Sequence, residues 1–170
     1  IMVMNPGIET IAEIVDYKFE PEIFSFDFLT AIEFYLARNA ITDFPVHLKV
    51  DSGMNRSGFK KEDIAALIVE LKKCKHIKVS SVFSHLVAAD DPQFDDFTLL
   101  QIDEYKNMCQ EISNVLGYTF FRHILNSAGT ERFTASQFEA VRLGIGLYGV
   151  TFNNNKAIKQ VATLRSRVMQ

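Results

Sequence analysis

The sequence predicts an α/β fold of parallel strands with helices on their faces. Three observations carry that prediction. Short apolar or alternating runs recur between longer stretches of 3.6-residue periodicity, which is the signature of βα units. Glycine, proline and capping residues fall at the joints between them. With 170 residues and 48% hydrophobic content, the chain is long enough for one domain with a substantial core. Two architectures fit: a doubly wound sheet and a (β/α)8 barrel. In both, ligands meet the carboxyl ends of the strands.

The elements follow in order. Residues 1–4 read as a buried strand, with Pro6-Gly7 as the turn after it. A chain that opens in mid-strand reads as a fragment. Residues 8–17 form a short amphipathic helix and residues 22–26 a second strand. Asp27 is the expected N-cap of a helix running to Asn39. Pro45 marks the entry to a third strand, 46–51. Residues 61–73 place Ile64, Leu67, Ile68 and Leu71 on one helical stripe. A fourth strand covers 79–84, and a long helix over 95–116 turns Phe97, Leu100, Tyr105 and Met108 toward its buried side. Strands at 118–125 and 141–147 flank a short helix at 134–138. Beyond the loop that begins at Asn153, residues 161–169 read as a new strand.

Bulk properties narrow the function. Charged residues make up 23% and the net charge is −3, which gives no electrostatic reason to expect nucleic acid. No apolar run approaches the ~20 residues of a membrane span, and no signal peptide is present. Cys74 and Cys109 lie far apart inside predicted helices and read as buried or half-buried thiols, which fits a reducing cytoplasm. The four histidines form no metal-ligand spacing. Asp90-Asp91 reads as a solvated loop in preference to a metal site. Neither GxGxxG nor GxxxxGK[ST] follows any strand.

Position carries the functional signal. In HLKVDSGMNRSGF, residues 47–59, alternation puts His47, Lys49 and Asp51 on one strand face. Asp51 and the Gly53 turn end strand three, His85 ends strand four, and Asn126 and Ser127 end strand five. Gly144 and Ile145 lie late in strand six. Buried parallel strands normally read as continuous apolar runs, so polar ends repeated on one side imply a common site. Plainer readings compete. Lys49 can snorkel to solvent, Arg56 can sit on the surface, and His85 can be a hydrogen-bonded core histidine. Arg142, between Val141 and Leu143, needs an acceptor if it points inward. Ser127-Ala128-Gly129 and Gly144-Ile145-Gly146 suit an anion, or are two ordinary tight turns.

Four blocks in this order resemble the alanine racemases: HLKVDSGMNRSGF, FSHLVAADD at 83–91, RHILNSAGTERF at 122–133 and VRLGIGLYGV at 141–150. The tail VATLRSRVMQ resembles that family's entry into a C-terminal β-domain. The resemblance implies an incomplete (β/α)8 barrel of about six parallel strands, strands three to eight of the whole. It divides the chain into a barrel part, 1–152, and a linker with the start of the β-domain, 153–170. It implies pyridoxal 5'-phosphate as cofactor, L- and D-alanine as substrates for peptidoglycan synthesis, and a homodimer for the intact protein.

Residue by residue, Ser127 and the Gly144-Ile145 backbone would hold the cofactor phosphate. Arg142 would face the pyridine nitrogen and, having only donors, keep it unprotonated. Arg56 would lie near the substrate carboxylate and the cofactor's phenolic oxygen. Lys49 matches a lysine that is often carbamylated, the carbamate orienting Arg56. His85 and His123 would support the site, His123 beside Arg142, and Asn126 would line it. The family's cofactor-binding lysine and its tyrosine base have no counterpart in this chain, so the fragment by itself is expected to be inactive. It is also expected to expose sheet edges that pair with another copy, close differently, or leave it marginally stable. A non-catalytic cofactor-carrier barrel and a structural domain with a vestigial site are the alternatives.

Overall fold

The computed structural model describes residues 1–153, 158–163 and 165–167. Five parallel strands form one sheet: β1 (Met2–Val3), β2 (Glu20–Ile23), β3 (Phe44–Lys49), β4 (Ile77–Phe83) and β5 (Phe121–His123). Their spatial order is β1-β2-β3-β4-β5, with no reversal. A doubly wound sheet changes direction at a switch point, whereas a barrel adds strands in sequence. The order therefore selects an arc of barrel. The helices between them are α1 (Ile11–Asp16), α2 (Phe26–Arg38), α3 (Ile64–Lys73) and α4 (Asp95–Leu116), and α5 (Ser127–Arg132) follows β5.

One apolar cluster joins the helices to the outward face of the sheet. Val46, Leu48 and Val50 from the β3 segment meet Phe28, Leu29, Ile32 and Leu36 of α2 and Ile64, Leu67 and Leu71 of α3 within it. Each such fully buried side chain contributes roughly 1.5–3 kcal/mol. The residues between them, His47 and Lys49, fall on the opposite, concave face. That alternation positions the site.

Several elements differ from the sequence expectation. Ser25, not Asp27, caps α2: its hydroxyl accepts from the Phe28 N–H at 3.2 Å, and Asp27 sits in the first turn. On α4 the buried stripe runs through Thr98, Gln101, Ile102, Tyr105, Met108, Cys109 and Ile112. Phe97 and Leu100 are 39% and 67% exposed. The stripe is displaced because Gln101 turns inward to hold the loop after β4, accepting from the Val87 N–H at 3.1 Å. Cys74 lies just past the end of α3, and Cys109 is buried within α4.

The largest difference is at 141–147, where no strand forms. Glycines weaken a strand, and the Gly144 and Gly146 N–H groups are drawn instead to the Ser127 hydroxyl, at 3.0 and 3.1 Å. Ile145–Tyr148 closes into a 3-10 turn. Ser127 likewise opens the helix α5, where a loop was expected, and residues 134–138 contain only a 3-10 turn at Thr134–Ser136. The described residues of 161–169 form no strand, and residues 164, 168 and 169 lie outside the described set.

Candidate functional site on the concave face

Phe83 is fully buried at the centre of the concave face. The His123 ring stacks on it, with centroids 5.0 Å apart and planes 3° from parallel. Two cations lie over the Phe83 ring: Lys49 Nζ at 5.0 Å and the Arg142 guanidinium at 5.1 Å from its centroid. Lys49 does not snorkel. Its side chain is buried with Glu22, whose carboxylate stands 4.0 Å away. Burial lowers the Lys49 ammonium below the usual lysine range, with Glu22 opposing that shift and Arg56 and Arg142 adding to it. The other Glu22 oxygen accepts from the Asn5 N–H at 3.0 Å.

Arg142 finds its partners among carbonyls and two imidazoles. Nη1 donates to the His123 carbonyl at 3.0 Å and to His123 Nδ1. Nη2 donates to the Ser84 carbonyl and lies 3.4 Å from the Ile124 carbonyl and from His85 Nδ1. Burial brings the guanidinium down to about 10, so it remains a cation and a pure donor at neutral pH. Burial first, and then Arg142, hold His85 down to about 4, with Arg56 and Lys49 contributing. His123 is held down to about 3 by burial, Arg142 and His47. Both rings are neutral at pH 7.

Asp51 organises the turn after β3. One carboxylate oxygen accepts from the N–H groups of Gly53, Met54 and Asn55 at 2.7–3.0 Å, and the other from the Arg56 N–H at 3.0 Å. The Arg56 side chain is exposed, yet its charge is felt at Lys49, His85 and Arg142. Arg56 thus belongs to the same end of the sheet without being locked there. Asn126 does not present its amide to the face. Its oxygen caps α5, accepting from the Gly129 N–H at 2.9 Å, and its nitrogen donates to the Leu86 carbonyl at 3.2 Å. Ser127 is buried, whereas Gly144 and Ile145 are exposed, Ile145 by 53%.

The sequence reading did not single out Glu20, Glu22 or Ser81. His47 Nε2 lies 3.0 Å from a Glu20 oxygen and Nδ1 lies 2.6 Å from the Ser81 hydroxyl, which in turn is 3.0 Å from His123 Nε2. The signal was present: Glu20 and Glu22 alternate in their strand as His47 and Lys49 do in the next. A cavity of about 420 Å³ is lined by Cys109, Phe121, Arg122 and Glu139, among others, and contains none of the expected site residues. Among the described residues, no group of three or more histidines, cysteines or carboxylates is placed to hold a metal.

The family model for the alanine racemase N-terminal domain matches residues 1–152. The chain belongs to the alanine racemase N-terminal domain family. An alanine racemase from Prochlorococcus marinus is 32% identical over 142 residues, covering 78% of this chain and 36% of that protein. Alanine racemase 1 from Clostridium acetobutylicum is 28% identical over 168 residues, covering 95% of this chain and 43% of that protein. The chain spans 28–45% of the length of such curated relatives.

Among solved structures, the alanine racemase of Clostridium difficile 630 in complex with cycloserine superposes with a TM-score of 0.77 at 26% identity, covering 91% of this chain and 43% of that one. The Bartonella henselae alanine racemase, solved with covalently bound pyridoxal phosphate, superposes with a TM-score of 0.79 at 21% identity, covering 94% and 44%, and supports the fold. The five-stranded arc thus superposes on part of the barrel of these structures. No helix among the described residues is long and apolar enough to cross a membrane.

Proposed function

We propose that this chain is the central part of the barrel of a pyridoxal-phosphate-dependent alanine racemase, with residues 1–152 as the barrel part and 153–170 leading into a β-domain. The observation that carries the reading is the set of donors gathered at one end of the sheet. Arg142, Lys49, Arg56 and the neutral His85 stand within electrostatic reach of one another. Nearby, two backbone N–H groups converge on a single oxygen, that of Ser127. A phosphorylated pyridine fits such a set. A phosphate oxygen can accept from the Ser127 hydroxyl and from N–H groups of this turn, and an aromatic nitrogen can accept from a guanidinium.

When bound, pyridoxal phosphate draws electrons from the substrate's α-carbon and makes its proton removable. Ser127 and the backbone of Gly144 and Ile145 would hold the phosphate. The described hydrogen bonds of the Arg142 guanidinium run from Nη1 and Nη2, which leaves Nε–H to donate to the pyridine nitrogen. That donor keeps its proton at neutral pH, so Arg142 would leave the nitrogen unprotonated and would temper the electron withdrawal the cofactor supplies. The Asp51-capped turn sets Arg56 where its side chain can swing toward a substrate carboxylate. His123 anchors Arg142, and His85 stays neutral beside it.

Lys49 matches the lysine that the family often carbamylates. Glu22, 4.0 Å away, would oppose a carbamate there, whereas the charges of Arg56 and Arg142 would favour it. The intact protein would be a cytoplasmic homodimer that interconverts L- and D-alanine for the cell wall. The 170 residues alone carry neither of the two proton-transferring bases the family uses, and racemisation needs both.

The test mixes the 170-residue chain with pyridoxal phosphate and L-alanine. The expected result is cofactor binding that weakens in Arg142→Ala, with no D-alanine formed. Turnover would overturn the inactive reading, and binding indifferent to Arg142 would overturn the site.

A further inference from the structure

Five side chains from successive segments form one continuous line of hydrogen bonds: Glu20, His47, Ser81, His123 and Arg142. The chemistry of its two ends fixes the direction of every link. A guanidinium has only donors, so His123 Nδ1 must present its lone pair to Arg142 Nη1. The His123 proton then resides on Nε2 and is donated to the Ser81 hydroxyl at 3.0 Å. Ser81, having accepted, donates its own proton to His47 Nδ1 at 2.6 Å. That leaves the His47 proton on Nε2, donated to the Glu20 carboxylate at 3.0 Å. An ionised carboxylate accepts only, so the line closes with no donor facing a donor.

We propose that Glu20, His47 and Ser81 are positioning residues: they hold His123 in its Nε2–H form and thereby aim the Arg142 guanidinium. The purpose assigned to that aim rests on the reading of Arg142 as the partner of the pyridine nitrogen. The tautomers themselves do not depend on it.

The surroundings make the arrangement strict. Ser81 and His123 are buried, so neither can exchange its partner for bulk water. The His123 ring is further clamped by stacking on Phe83. Were its proton to move to Nδ1, it would face Arg142 Nη1 donor to donor. The guanidinium would then lose its one side-chain anchor at that nitrogen and keep only carbonyls. Protonating His47 is equally disruptive. Its Nδ1–H would point at a serine oxygen already accepting from His123, and the Ser81 proton would have no described acceptor. Burial outweighs Glu20 at His47 and lowers its proton affinity, which keeps the ring neutral. The side-chain exposure rises from 14% at His47 to 35% at Glu20, so the line starts at the half-buried arginine, passes through buried Ser81 and His123, and ends at water.

The test is nitrogen NMR of the imidazole rings in the histidine-labelled 170-residue chain at pH 7. The wild type should show His47 and His123 each as a single neutral species protonated at Nε2. Ser81→Ala should convert His47 to a mixture of tautomers, and Ser81→Thr, which keeps the hydroxyl, should restore the single form. A wild-type His123 protonated at Nδ1, or averaging between tautomers, would overturn the proposal. So would a Ser81→Ala spectrum identical to wild type. If Ser81→Ala fails to fold, the wild-type and Ser81→Thr spectra still decide. A parallel titration with pyridoxal phosphate separates the two readings. Single tautomers without any cofactor binding would overturn the functional reading and leave the relay standing. Cofactor binding with mixed wild-type tautomers would overturn the relay alone.

Discussion

The centre of the sheet and its carboxyl-side margin achieve the same thing, a precisely placed polar group, by different means. At the centre, β3 and β4 pair over six positions, and Lys49 is fixed by the ladder beneath it and by the buried Glu22 opposite. At the margin, residues 141–150 contain no strand, and Arg142 and Gly144 are placed by side chains and carbonyls reaching out to them. Central groups are therefore held by the fold, at the energetic scale of buried charge. Marginal groups are held by local hydrogen bonds of about 1 kcal/mol each.

That contrast can be broken most severely at the buried pair. Glu22→Gln leaves the Lys49 ammonium without its counter-ion and should cost about 3–5 kcal/mol in urea unfolding, whereas Glu22→Leu with Lys49→Met should recover most of it. An unchanged midpoint in Glu22→Gln would show that water reaches Lys49.

Acid is the next lever. His85 and His123 resist protonation in the fold down to about 4 and about 3. In the unfolded chain both take up a proton near pH 6.5, so the unfolded state binds more protons and stability falls as pH falls. The loss starts below about pH 6.5 and continues to pH 3–4, with about 1.4 kcal/mol per pH unit as the upper bound for each ring, reduced by solvent screening at the partly exposed His85. Chemical denaturation at pH 7 and pH 5 measures it, and His85→Asn should reduce the slope without abolishing it, because His123 and His47 are lowered as well.

Gly58 tests the junction between the β3 ladder and its turn. It adopts φ +108, and a Cβ there would stand 2.6 Å from Lys49 Cγ and 2.9 Å from the Lys49 carbonyl oxygen. Gly58→Ala should destabilise by about 1–3 kcal/mol, read from the thermal midpoint. Ser127→Ala should cost least, about 1 kcal/mol or less, because the Gly144 N–H it releases is near the surface and turns to water. A loss as large as that of Glu22→Gln would erase the distinction between centre and margin.

Legibility in the sequence follows the same divide. Strand alternation revealed the His47–Lys49 face because a period of two survives burial of the other side. The helical stripe of α3 was equally readable. What escaped was decided by tertiary partners. VRLGIGL has strand-like spacing, but the strand lost to Ser127, seventeen residues away from Gly144. On α4, Thr98 and Gln101 displaced two larger apolar residues from the core because Gln101 has backbone to bind. Asn126 was expected at a strand end lining the site, and its side-chain oxygen caps α5, a helix that the sequence reading did not place there. The blocks 47–59 and 141–150 announced the family, while the carboxylates that complete their networks, Glu20 and Glu22, lie outside every block.

The central claim is that this margin, held by Ser127 and Arg142, is built to receive a phosphorylated pyridine. Calorimetric titration of the 170-residue chain with pyridoxal 5'-phosphate and with pyridoxal tests it most directly. The phosphorylated form should bind at least about tenfold more tightly, a difference of roughly 1.4 kcal/mol, and Ser127→Ala should remove most of that preference. Equal affinity for the two compounds, or a preference untouched by Ser127→Ala, would contradict the account.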